Sequence, residues 1–101
     1  MQLVEVFLPL DTGRGDPVGP EAIERIVGDL AERFGGATAF TRAPADGLWK
    51  QGATIQKDRV IIVEVLVEEI DDAWWKAYRG RLEAELAQEE VMIRATPCRK
   101  L

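Results

Sequence analysis

The sequence contains no histidine, and that single gap removes Ser–His and Cys–His nucleophilic catalysis, proximal-histidine haem ligation and the common zinc sites together. It contains one cysteine, Cys98, so an intrachain disulfide is excluded and a cysteine metal cluster has nothing to build on. Cys98 follows a proline near the end of the chain, has no histidine to lower its pKa, and reads as an inert thiol. No apolar run approaches the roughly 20 residues a bilayer-crossing helix requires. The opening MQLVEVFLPLDTG also lacks the basic flank and small-residue cleavage site of an export signal, so the expected location is the cytoplasm, away from membranes. Positive charge is scarce as well. Lys and Arg number 13 against 18 Asp and Glu, a net charge of −5, and apart from Arg99 and Lys100 the cations are scattered. Nucleic-acid affinity comes largely from cations that displace phosphate counterions, so a nucleic-acid partner is not expected.

What is present describes a folded chain. At 101 residues, 47% hydrophobic and 31% charged, it has the composition of one globular domain spanning 1–101. LVEVFLPL, 3–10, alternates around Glu5 and reads as a strand. DTGRGDPVGP, 11–20, is a loop by its glycine, aspartate and proline. Ile23, Ile26, Val27, Leu30 and Phe34 then fall at helical spacing, with Pro20 suited to the first turn and Gly35 to the C-terminal cap. ATAFTR, 37–42, reads as a second strand, and the β-branched run VIIVEVLV, 60–67, as a central third. Asp71 or Asp72 can cap a helix to about Gln88 that carries Trp75, Tyr78, Leu82 and Leu86 on one stripe, and EEVMIRATP, 89–97, closes as a strand. The order βαββαβ predicts a ferredoxin-like α+β sandwich, in which two helices cover one face of a four-stranded antiparallel sheet.

Strand alternation divides the side chains between the two sheet faces. Val4, Val6, Leu8, Ile61, Val63, Val65 and Val67 go to the helices, leaving Leu3, Glu5, Phe7, Val60, Ile62, Glu64 and Leu66 on the open face. Phe40, Arg42, Met92 and Arg94 join them from the edge strands. So large an apolar patch calls for cover, which predicts a homodimer packed through the open sheet face. Within it Glu5 and Glu64 require cationic partners, for which Arg42 and Arg94 are the candidates. One reading makes these four residues structural salt bridges that set dimer register. The other makes Glu5 or Glu64 a general base beside a small cavity, with Arg42 or Arg94 binding the ligand.

Three further stretches attract functional readings. Trp74 and Trp75 are helix neighbours about 100° apart, which puts only Trp75 in the core stripe. DTGRGDP has neither the GK[ST] ending nor the third glycine of a phosphate loop, and Glu68, Glu69, Asp71 and Asp72 lack the spacing of a calcium loop, so no cofactor or metal is expected. TRAPADGLWKQG, 41–52, reads as a kinked edge hairpin that turns at Ala45–Gly47 and again at Gln51 and Gly52 before ATIQKD leads into the central strand. Its Trp49 is expected to pack over a partner subunit or the core rim, with ligand stacking as the alternative.

LVEVFLPL, FGGATAFTRAPADGLWK, DRVIIVEVLVEE and WWKAYRGRLEAEL together resemble a group of short bacterial proteins that carries no assigned activity. In architecture the chain is similar to dimeric α+β barrel proteins, a superfamily that includes cofactor-free monooxygenases, isomerases and haem enzymes. The resemblance supplies no catalytic residues. The reading favoured by these residues is a homodimeric interaction or accessory module without catalysis. A cofactor-free small-molecule enzyme, of isomerase or monooxygenase type, and a metabolite sensor are the alternatives, both using a cavity near Glu5 and Glu64.

Overall fold

A computed structural model describes residues 1–41 and 44–101 of the chain. The elements run β1 (Gln2–Pro9), α1 (Pro20–Phe34), β2 (Thr38–Ala39), β3 (Ala45–Gln51), β4 (Thr54–Val67), α2 (Asp72–Glu85) and β5 (Ile93–Pro97). They build a five-stranded antiparallel sheet. β1 lies between β4 and β5, and the far side of β4 is bordered first by β3 and then by β2.

The four-stranded ferredoxin-like sandwich is therefore not what the chain forms. The difference lies in β4, which is 14 residues long and begins at Thr54, six residues before the apolar run that marked it. Its first half pairs with β3 from Gln51↔Thr54 to Ala45↔Val60, as an arm extending from the sheet. Ala45–Gly47, expected as a turn, is strand, and so is the supposed connector ATIQKD from Thr54 onward. The turn at Gly52 is present. Gly52 takes a φ of 62° at the first central position of a two-residue hairpin loop, where a type II′ turn calls for glycine, and Thr54 Oγ1 donates to the Gln51 carbonyl at 2.9 Å.

The remaining elements follow local chemistry closely. α1 opens on Pro20, closes on Gly35 with φ 81°, and buries Ile23, Ile26 and Leu30. α2 is capped by Asp71, whose Oδ1 accepts from the Trp74 N–H at 3.1 Å, and ends at Glu85 rather than Gln88. Val4, Val6, Leu8, Ile61, Val63, Val65 and Val67 all face the helices in one core with Trp75, Tyr78 and Leu82. Each fully buried side chain of this size contributes about 1.5–3 kcal/mol. Arg25 of α1 pairs with Glu85 of α2 and links the two helices at the surface.

Trp74 and Trp75 also take the expected sides. Trp75 is buried, stacked on Phe34 at a centroid distance of 5.1 Å, and Trp74 lies on the flank beneath the Arg33 guanidinium at 4.2 Å. The cations that meet these rings are Arg33 at Trp74 and Arg81 at Tyr78.

Candidate functional site

The open sheet face is banded. β-pairing places Thr38, Glu64, Glu5 and Arg94 side by side across four strands, each the register partner of the next. On one side of this polar row run Ile62 and Phe7, with Phe40 and Met92 brought in by backbone bonds from Phe40 N to Ile62 O and from Phe7 N to Met92 O, both 2.9 Å. On the other side run Leu66 and Leu3. Arg94 Nε donates to Glu5 Oε1 at 2.9 Å, and its guanidinium carbon sits 4.9 Å from the centre of the Phe7 ring. Glu5 and Arg94 are thus joined as expected, and Glu64 stands directly opposite Glu5. Arg42, the other expected partner, lies outside the described residues.

Beyond the Phe7 band the sheet face opens into a cleft of about 650 Å³. Its floor is Phe7, Pro9 and Val60, the last buried where the sequence placed it on an exposed face. One wall is the β3–β4 arm, which supplies Trp49, Lys50 and Asp58. Trp49 is 42% exposed, and its indole folds back along its own strand over Gly47, where a Cβ would come within 3.3 Å of Nε1. A smaller cavity of about 310 Å³ adjoins at Pro9 and Asp58.

The opposite wall is the segment between α2 and β5, with Ala87, Gln88, Glu89 and Glu90. It is tied to the β1–α1 loop by the Gly13 N–H to Leu86 O bond of 3.1 Å and by Gln88 Nε2 to Asp11 O at 2.9 Å. Gly13 is present for close approach. A Cβ there would run into the Ala87 carbonyl oxygen, so Gly13 is a packing contact, while Gly15, with φ 86°, forms the turn. Glu83 Oε2 accepts from the Val91 N–H at 2.9 Å and fixes the wall where it enters β5.

Of the residues singled out in the sequence, Glu5, Glu64 and Arg94 share the polar row and Trp49 lines the neighbouring cleft. Asp58, Glu89 and Glu90 were missed. They lie on exposed segments without alternation, and only the fold brings them to one cleft. Among the described residues, no group of three or more His, Cys, Asp and Glu side chains is placed to hold a metal ion. Among the same residues no helix is long and apolar enough to cross a membrane.

No family model matches the sequence, and none of the curated proteins matches it. Two solved structures do match in fold. One is a phage SAM lyase in complex with S-methyl-5′-thioadenosine, at TM-score 0.65 and 15% identity over 94% of this chain and 79% of that one. The other is a phage SAM lyase in the apo state, at TM-score 0.59 and 14% identity over 94% and 78%. The fold is similar to that of these lyases. That likeness corrects the ferredoxin-like, dimeric α+β barrel expectation. It also runs against the reading as a non-catalytic accessory module, because the proteins that share the fold are enzymes.

Proposed function

We propose that the chain is a lyase acting on S-adenosylmethionine in the cleft between the β3–β4 arm and the α2–β5 segment. The observation that carries this reading is the meeting, in one cleft, of two aromatic rings, Phe7 and Trp49, with three carboxylates, Asp58, Glu89 and Glu90. S-adenosylmethionine offers a planar adenine, two ribose hydroxyls and a sulfonium cation. Adenine packs against the Trp49 indole and the Phe7 ring. The carboxylates accept from the ribose hydroxyls and attract the sulfonium, and the net charge of −5 draws a cation toward the protein.

Cleavage has a balanced route that requires no base. One oxygen of the substrate's own carboxylate bonds to the γ carbon, the γ carbon–sulfur bond breaks, and its electron pair stays on sulfur. The products are S-methyl-5′-thioadenosine and the five-membered lactone of homoserine. No proton moves in this step, so a chain without histidine can perform it. A carboxylate and a sulfonium neutralise each other on the way to the transition state, and the apolar side chains of Phe7, Val60 and Met92 beside them favour that loss of charge.

The test is chromatography of S-adenosylmethionine incubated with the protein. S-methyl-5′-thioadenosine is expected to accumulate, and Trp49→Ala is expected to lower kcat/KM about tenfold through lost stacking. Absence of product, with no binding of either nucleoside at millimolar concentration, overturns the reading.

The proposal retains a homodimer through the open sheet face. Phe40 and Leu66 are 47% and 45% exposed on that face, and a second copy over them would remove both from water and roof the polar row.

A further inference from the structure

The polar row across the sheet lies outside the cleft, yet it continues from the cleft without a break. From Pro9 and Val60 on the floor, two residues along each strand lead to Phe7 and Ile62, and two more lead to Glu5 and Glu64. Each step is about 7 Å. A ligand seated in the cleft and extending along the sheet therefore passes over apolar side chains and ends at one cation and two carboxylates.

The charges in that row are unevenly matched. Arg94 is fixed from two sides, by its Nε bond to Glu5 Oε1 at 2.9 Å and by the Phe7 ring 4.9 Å from its guanidinium carbon. Its side chain is still 58% exposed, against 16% for Glu5, and among the described residues its Nη groups make no hydrogen bond, so they can donate to a ligand. Glu64 is half-buried directly opposite Glu5, an unfavourable arrangement of like charges. Among the described residues no hydrogen bond or ion pair falls on the Glu64 side chain. One guanidinium held by Glu5 neutralises one of the two carboxylates. The row thus presents an acceptor for a cation at Glu64 and, across Glu5, a donor for an anion at Arg94.

We infer that the row formed by Glu64, Glu5 and Arg94 is the receptor for the α-amino-acid end of the ligand, with Glu64 accepting from the ammonium and Arg94 donating to the carboxylate. Glu5 is a positioning residue that holds the guanidinium. Thr38, the other register neighbour of Glu64, borders the ammonium site. The inference rests on the lyase reading and deepens it, because a zwitterionic tail held at both charges is constrained in the torsions that bring its carboxylate toward the γ carbon. One carboxylate oxygen stays on Arg94 while the other attacks.

S-methyl-5′-thioadenosine keeps the nucleoside and lacks the tail, which makes it the control for the cleft. Calorimetric titration of the full chain with S-adenosylhomocysteine, which keeps the amino-acid tail and has no sulfonium to be cleaved, is expected to show that Glu64→Gln weakens it at least tenfold and leaves S-methyl-5′-thioadenosine within twofold. Arg94→Gln is expected to do the same, and to leave unchanged the affinity for decarboxylated S-adenosylmethionine, which keeps the ammonium and lacks the carboxylate. If both variants bind both nucleosides as the unaltered chain does, or lose both equally, the row has only a structural role and the inference falls while the lyase reading stands. If the unaltered chain binds neither nucleoside, the lyase reading falls and takes the inference with it.

Discussion

Tyr78 is 6% exposed, and among the described residues its hydroxyl has no hydrogen-bond partner. Burial, assisted by the charge of Asp29, pushes its pKa up to about 12 from 10, with Arg81 and Arg25 pulling weakly the other way. A group whose folded pKa is raised binds more protons folded than unfolded between those two values, so stability is intact below pH 10 and declines as pH rises toward 12. A shift of this size is worth roughly 2–3 kcal/mol. Denaturant titrations at pH 9 and 11.5 are expected to show most of that loss in the unaltered chain and little of it in Tyr78→Phe. At neutral pH the phenylalanine variant is expected to be at least as stable, since it removes a buried donor without a partner. A variant that lost stability in parallel with the unaltered chain would show that the alkaline transition has another source. At this scale much of the candidate site was legible: alternation alone placed Glu5, Glu64, Phe7 and Arg94 on one sheet face. The charge balance between them was not, because it depends on which carboxylate the guanidinium of Arg94 reaches.

At the scale of elements, the legible parts were those with a buried side. α1, α2, β1 and the second half of β4 each press an apolar stripe into the core, and burial imposes the period that a sequence displays. The arm has no such side. Leu48 and Ile55 are 68% and 71% exposed, β3 is exposed along most of its length, and no alternation marks either strand until it is paired. The cleft needs the arm and the α2–β5 segment together, and Gly13 is where that second wall meets the β1–α1 loop. Gly13→Ala is expected to cost about 1–3 kcal/mol by forcing the Ala87 carbonyl away, and to weaken nucleoside binding as the wall shifts. Gly28→Ala is the contrasting change. It lies in the exposed middle of α1 with open space around it, and is expected to stabilise by roughly 0.5–1 kcal/mol. Chemical denaturation of the two variants checks both signs.

For the whole molecule, the sheet divides into a face closed by helices and a face that none of the described residues closes. Sedimentation at micromolar concentration is expected to give twice the chain mass, and Phe40→Ser with Leu66→Ser to shift it toward one. A single-chain mass for the unaltered protein would remove the dimer from the proposal. By itself the sequence determined the two helices and their caps, the inward and outward phase of the central strands, and the absence of any histidine chemistry, because each depends on residue type or on short periods along the chain. Only the tertiary structure decided the cleft. Trp49 and Asp58 of the arm lie far in sequence from Glu89, on segments with no buried face, and what brings them together is the pairing of a long β4 with β3 on one side and the docking of the α2–β5 segment against Gly13 on the other.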